Sequence, residues 1–346
     1  MASPDQKLII EKLDLAGKRL AVAIDQVINN DQTDGYKFLE LTSRLSHENS
    51  FFTEKELLNA LKTIVRNLDK ALLEHHFGYY SQPSANGSEK ILSLVPSNNP
   101  LGGFTDLVRA IIFRKPIIFR LPKENKKLLP ALVQFMKEDI PEIDDFVSFT
   151  EEMIPRPEVL FTYELEKTNN GQRKYFSRYD GVVRDRIKSA AVLDGNETQD
   201  QLTNLAHGVL AYFGQNRHNV SKLFVPEKYD FERLKPGFKE YKHLFDHNTY
   251  RNNYDYYKSI YLINRDTHFD NGYLLFREEQ YRSINPLSVI FFEKYNDSNE
   301  LKEKLERNDF LKVYRESNLT NKQEMLFPDL FSLENNALFL KALKVI

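Results

Sequence analysis

The chain reads as an α/β protein built on a mainly parallel sheet, and three observations point there. From residue 91 short apolar runs alternate with helical stretches, as βα units do. No internal repeat at a period of roughly 20 to 50 residues, the mark of a solenoid or propeller, is present. The length, 346 residues, suffices for about two ordinary domains. Hydrophobic residues make up 41% and charged residues 28% of the chain, the balance of a globular protein rather than a disordered one.

The elements follow in order. Leu8, Ile9, Leu13, Leu20 and Ile24, then Leu57, Leu58, Leu61, Ile64, Val65 and Leu68, recur at three-four spacing and so lay apolar groups on one face of each early helix. The run Gln82-Pro83-Ser84-Ala85-Asn86-Gly87-Ser88 is a loop. Strands are expected at Ile91–Val95, Pro116–Leu121, Val159–Tyr163 and Lys188–Leu193, with helices at Leu107–Phe113 and Lys126–Met136. Thr198 caps a further helix, with Gln201 three residues on and an apolar stripe from Leu202 to Phe213, and Gly214 is expected to stop it. A strand at Val220–Val225, a helix around Phe231–Leu244, a Tyr-rich segment at Tyr250–Ile263 and strands at Gly272–Phe276 and Ser288–Glu293 complete a second α/β block. From Leu301 the tail is mixed helix and loop.

Charge and cysteine content exclude whole classes of function. With 48 basic against 50 acidic side chains, net −2, no global basic field exists to bind nucleic acid. No apolar run approaches the roughly 18 to 20 residues of a bilayer span, and the first residues carry no signal-peptide core, so a cytoplasmic protein is expected. The chain contains no Cys. Disulfides, thiolate metal sites, iron–sulfur clusters and a Cys nucleophile are therefore all excluded.

Four motifs bear chemistry. His243 and His247, four apart, would share a helical face as two metal ligands do, but no third ligand lies at a recognisable spacing and solvated histidines explain the pair equally. His75-His76 reads as packing. Tyr254-Asp255-Tyr256-Tyr257-Lys258 fits Tyr-x-x-x-Lys, in which a Lys lowers the pKa of an acid Tyr. The glycine-rich phosphate turn that accompanies that chemistry is missing, which favours a tyrosine-lined pocket or interface. Pro96 to Phe104, with Asn98 and Asn99 ahead of Gly102-Gly103, follows a strand and precedes a helix. There open α/β sheets build their crevices, and an Asn amide can stabilise an oxyanion, although a capped turn has the same composition.

The stretch Phe213-Gly214 through Asn219-Val220-Ser221-Lys222-Leu223-Phe224-Val225-Pro226, followed by Tyr229-Asp230-Phe231, resembles the active-site region of the acyl-CoA reductases of the bacterial bioluminescence (LuxC) family. Other segments agree in order: Asn98 to Phe104 with Asp106, Leu128-Leu129-Pro130-Ala131-Leu132, Val192-Leu193 with Gly195-Asn196-Glu197-Thr198, Asn252 to Tyr256, and Asp270-Asn271-Gly272 with Leu274-Leu275. The similarity runs from roughly residue 50 to 340.

The resemblance implies an aldehyde-dehydrogenase-like fold. Its expected parts are N-terminal helices with a Rossmann-type nucleotide-binding domain over residues 1–214, a smaller catalytic-type α/β domain over 215–325, and a C-terminal segment, 326–346, returning to the first domain. It also implies a reaction in which a Cys attacks a fatty acyl thioester, NADPH delivers hydride to the acyl-enzyme, and an aldehyde leaves. Asn98 matches the family's oxyanion-stabilising Asn. At the nucleophile, where the family has Gly-Cys-Arg before Asn-Val-Ser-Lys, this chain has Asn216-Arg217-His218, so Arg217 stands in the Cys position. A guanidinium has no lone pair free to attack a carbonyl and does not deprotonate in proteins.

The nucleotide side has drifted too. The family's Gly-Ser ahead of Asn-Asn is Lys167-Thr168 before Asn169-Asn170, with Arg173 following, and a Lys expected after the second strand is Arg120. Arg120, Lys123, Lys167 and Arg173 are basic groups of the kind that attract a phosphate-bearing ligand, and solvated surface charge explains them equally. The expectation is thus a homologue that keeps the fold without the reductase chemistry, binds an acyl-CoA or acyl-carrier thioester through Asn98 and Arg217, or pairs with an active reductase or acyl-transfer enzyme. The alternative is noncovalent chemistry on the same substrates with His218 as base.

Overall fold

A computed structural model of the chain describes residues 4–29, 45, 48–80, 91–97, 99–152, 154, 156–165, 174, 176–185, 189–216, 219–282, 285–308, 312–314 and 330–331. Contacts divide it into two units, 1–186 with 329–346, and 187–328. The division falls earlier than the expected 214/215, because the strand at Ser189–Val192 and the helix that follows it belong to the second sheet and its cover.

In the first unit three helices precede the sheet: α1 (Pro4–Ile28), α2 (Glu54–Asn67) and α3 (Lys70–Phe77). Their starts are set by side-chain caps, Thr53 Oγ1 accepting from Glu56 N at 3.3 Å and Asp69 Oδ1 from Leu72 N at 3.1 Å. The apolar stripe predicted for α1 faces inward, with Ile9, Leu13, Leu20 and Ile24 all buried. Strands β1 (Ile91–Leu94), β2 (Ile117–Arg120), β3 (Val147–Thr150), β4 (Val159–Leu165) and β5 (Asp180–Asp185) form one sheet in the order β3-β2-β1-β4-β5, every pair parallel. Helix α4 (Phe104–Phe113) connects β1 to β2, and α5 (Leu128–Met136) lies between β2 and β3. Continuous burial along α4 makes it the most enclosed helix of the unit. Leu330 and Phe331 pack here: Leu330 N donates to Asn67 Oδ1 at 2.8 Å, and the Phe331 ring lies 5.1 Å from that of Phe77. β3 and β5 escape the sequence reading, since strands of four and six residues with charged residues in or beside them carry little periodicity.

The second unit holds a six-stranded sheet in the order β11-β6-β7-β10-β9-β8, parallel except for the β8–β9 pair. Its strands are β6 (Ser189–Val192), β7 (Val220–Pro226), β8 (His268–Asp270), β9 (Leu275–Glu278), β10 (Val289–Tyr295) and β11 (Lys312–Tyr314). Helices α6 (Gln199–Leu210), α7 (Leu234–Phe238), α8 (Asn248–Asn264) and α9 (Ser298–Asn308) complete it. The expected cap of α6 is present in full, Gln201 N donating to Thr198 Oγ1 at 3.3 Å and Thr198 N to Gln201 Oε1 at 2.7 Å.

Three elements differ from expectation. α6 ends at Leu210, well before Gly214, because Tyr212 and Phe213 adopt left-handed backbone angles that no α-helix continues through. The helix expected around Phe231–Leu244 is a single short α-turn between two 3₁₀ segments, at 231–233 and 239–246; Pro236, which has no N–H to donate, sits in its middle. The strand expected at Gly272–Phe276 starts at Leu275, because Asp270 and Asn271 turn the chain first, Asp270 Oδ1 accepting from Gly272 N at 2.7 Å and Asn271 Oδ1 from Leu274 N at 2.8 Å. Among the described residues no helix is long and apolar enough to cross a membrane.

Candidate functional site

In an open parallel sheet, ligands bind outside the carboxyl ends of the strands where the strand order reverses. In the first unit that point lies between β1 and β4, since the chain runs from β1 outward to β3 and then returns to the other side. The loop leaving β1 is held from three directions. Asn125 Nδ2 donates to Pro96 O and Asn99 O, both at 3.1 Å. Asn49 Nδ2 donates to Ser97 O at 2.9 Å, and Asn99 Oδ1 accepts from Leu101 N at 2.9 Å. Two buried asparagines thus fix the backbone on both sides of position 98.

The glycine pair that ends this loop serves packing. A Cβ on Gly102 would stand 2.7 Å from the Pro96 ring, and one on Gly103, at φ +83°, 2.7 Å from the Leu129 side chain. The glycines therefore bring the loop down onto Pro96 and Leu129. Just below it, Ser93 Oγ donates to Asp106 Oδ2 at 2.8 Å and the Arg109 guanidinium lies 3.4 Å from Asp106 Oδ1, all three side chains buried. This trio ties the end of β1 to the first turn of α4. The Asp106-x-x-Arg109 spacing on an otherwise apolar helix is the signal that could have revealed it.

Arg120 closes β2 beside Leu94 of β1. Its Nε is buried with no hydrogen-bond partner among the described residues. A buried guanidinium nitrogen left unmatched costs free energy unless an acceptor arrives. Lys123 is exposed on the 3₁₀ turn 123–125 that follows. Asn98, Thr168, Asn169, Asn170 and Arg173 lie outside the described residues.

In the second unit the segment between α6 and β7 has the most unusual backbone of the unit. Tyr212 (φ 54°), Phe213 (φ 57°) and Gly214 (φ 70°) are consecutive left-handed residues, two of them bulky and buried. Each L-residue held there costs roughly 1–2 kcal/mol, and such strain persists where the surroundings over-determine it. The surroundings do so here. Phe213 packs its ring against those of His247 at 4.9 Å and Tyr250 at 6.1 Å. Asn219 Oδ1 accepts from Asn216 N at 2.7 Å, Asn219 N donates to Asn216 O at 3.0 Å, and Asn219 Nδ2 donates to Gly208 O at 2.9 Å. The turn is thus pinned at 212–216 and again at 219, with positions 217 and 218 between. Arg217 and His218 themselves lie outside the described residues. Asn216-x-x-Asn219, with the second Asn reaching back three residues to the first, is a spacing the sequence displays.

The remaining candidates have structural roles. His247 caps α8, its Nδ1 accepting from Tyr250 N at 3.4 Å, while His243 Nδ1 meets Glu240 O at 2.7 Å. His76 is buried against Phe331, with ring centroids 6.0 Å apart, but its neighbour His75 is exposed rather than packed. Tyr254 and Lys258 do meet, Nζ to Oη at 3.2 Å, yet the Tyr hydroxyl donates to Asp270 at 2.7 Å. Burial and that acceptor push Tyr254 up to about 12, opposite to what an acid–base Tyr needs. Lys222 is fully buried and salt-bridged to Glu293 at 2.8 Å; burial pulls it below its ordinary value and the Glu293 partner opposes that.

The course of the backbone through these elements matches a known architecture. The fold is that of the aldehyde dehydrogenases. The chain is similar to 1-pyrroline-5-carboxylate dehydrogenase of Thermus thermophilus, with 12% identity, TM-score 0.58, and 97% of this chain and 80% of that chain covered. It is similar to propionaldehyde dehydrogenase of the Clostridium phytofermentans fucose utilisation microcompartment, with 8% identity, TM-score 0.56, and 92% and 84% covered. Lactaldehyde dehydrogenase of Escherichia coli gives 10% identity and TM-score 0.57, with 90% and 80% covered. No family model and no curated protein matches the chain by sequence. What is shared is the course of the backbone.

Proposed function

We propose that this chain is a LuxC-like aldehyde-dehydrogenase-fold protein that binds an acyl thioester, acyl-CoA or acyl-carrier, without reducing it. One observation carries the proposal: an aldehyde-dehydrogenase fold is built here from a sequence with no cysteine at all, whereas the resembled LuxC family attacks its thioester with a Cys. A thioester carbonyl needs a nucleophile with an available lone pair, and Arg217 offers a delocalised cation instead. Asn98 and Arg217 are assigned to the thioester as polar and cationic contacts, which hold a carbonyl oxygen or a phosphate but transfer nothing.

The fold implies a nicotinamide dinucleotide, NADPH by the LuxC resemblance. The unmatched buried Nε of Arg120 at the carboxyl end of β2 fits the phosphate-bearing part of such a ligand, with Lys123 alongside. Thr168, Asn169, Asn170 and Arg173 are assigned to the same ligand by the resemblance. When bound, the nicotinamide supplies hydride; what this chain's residues supply is phosphate recognition, with no thiol to form the acyl group that would receive the hydride.

Calorimetric titration tests the reading. Long-chain acyl-CoA is expected to bind saturably, and acyl-CoA with NADPH together to yield no aldehyde. Aldehyde formation lost on His218→Ala would replace this reading with noncovalent catalysis. Absence of binding by either ligand would overturn it in favour of a purely protein-binding role.

A further inference from the structure

Helix α1 buries one face against its own unit and leaves the other bare. Leu8, Leu15 and Val22 are 54%, 55% and 56% exposed, far above what apolar residues of a packed helix show. They recur at seven-residue steps, so they form one line along the helix over about 21 Å. On one flank of that line run Lys7, Glu11, Lys18 and Asp25, all exposed, with signs plus, minus, plus, minus.

That order is self-complementary only when reversed. Laid against a second copy of itself in parallel, each charge meets its like. Laid antiparallel about Leu15, Lys7 meets Asp25, Glu11 meets Lys18, Leu8 meets Val22 and Leu15 meets Leu15. From this charge complementarity and the apolar line we infer that α1 is a dimerisation face, its occupant being α1 of a second copy of this chain in antiparallel, two-fold symmetric pairing.

Among the described residues no intrachain contact competes strongly for the face. Glu11 pairs with Lys70 at 2.8 Å and Lys18 with Asp14 at 2.6 Å, both exposed and solvent-screened, so each carboxylate and ammonium has capacity for a partner across the axis. On the same flank a groove of about 620 Å³ opens between α1 and the α2–α3 corner, floored by Val65, Leu68 and Leu72. It gives facing side chains from the second copy room to enter. The inference stands independently of the ligand reading above.

The test is sedimentation of the full chain across a concentration range, with charge-reversed variants. Wild type is expected to dimerise, and Glu11→Lys or Lys18→Glu, each placing two like-charge contacts across the axis, to weaken the dimer about tenfold or more. Mixing those two variants re-creates opposite charges at both contacts and is expected to restore a mixed dimer. Leu15→Glu on this exposed position is expected to abolish association without changing the melting temperature. A wild type that stays monomeric at high concentration overturns the inference, and so does a dimer indifferent to both reversals or a mixture that fails to associate.

Discussion

Ser93, Asp106 and Arg109 join β1 to α4 through a carboxylate buried with its cation. Removing one member of such a pair leaves a charge in a low-dielectric interior, at a cost of about 3–5 kcal/mol. Asp106→Ala is accordingly expected to lower unfolding free energy by about 3 kcal/mol or more in a urea titration. A loss below about 1 kcal/mol would show that the trio is better solvated than its burial indicates. Arg120 behaves in the opposite sense, because its Nε has no partner among the described residues to lose. Arg120→Ala is expected to leave the melting temperature unchanged while weakening binding of 2′-phosphorylated adenine nucleotide about tenfold or more. Unchanged affinity would place the phosphate elsewhere.

Among the elements, α8 and the β8–β9 hairpin are joined by Tyr254, Lys258 and Asp270. Burial by itself would raise the Asp270 carboxyl, but the hydrogen bonds from Lys258 and Tyr254 hold it below its usual 3.8. A carboxylate whose folded pKa is depressed contributes stability that is present above its unfolded value and lost as pH falls through the folded one. Tyr254 runs the other way: raised to about 12 by burial and by donation to Asp270, it contributes stability present below pH 10 and lost as pH rises toward 12. Chemical denaturation against pH is expected to show both limbs, and Asp270→Asn to flatten the acid limb selectively. An acid limb unaltered by that substitution would move its origin to other carboxylates.

These elements also show where sequence sufficed. Thr198-x-x-Gln201 spells out its helix start, because a capping box is a local arrangement of two side chains and two amides. The end of the same helix was not legible, since Tyr212 and Phe213 are forced left-handed by partners such as His247 and Tyr250 far along the chain. The start of β9 was not legible: a strand was expected from Gly272, whereas Asp270 and Asn271 turn the chain first and long-range pairing sets the register. Ser93–Asp106–Arg109 and Lys222–Glu293 went unread, because side chains that usually mark a surface reveal their burial only once the sheet is assembled. Asn98 stood out through its place in a strand-to-helix turn as well as through the family resemblance, Arg217 and His218 through the resemblance alone.

At the scale of the whole molecule, two α/β units reproduce the aldehyde-dehydrogenase architecture. Under the proposed reading, a cation, Arg217, stands where the resembled family has its thiol. The turn at 212–214 is strained and is held by its Asn216–Asn219 clamp. In the proposed reading, a turn whose geometry costs stability serves binding at the neighbouring position. The central claim, that position 217 stands where a thiol would attack a bound thioester, is tested most directly by restoring that thiol. Purified Arg217→Cys would be mixed with long-chain acyl-CoA and its intact mass measured. The account predicts a gain of one acyl group as the thiolate displaces CoA thiol, and no gain for wild type. An unmodified Arg217→Cys protein, or acylation of the wild-type chain, would contradict it.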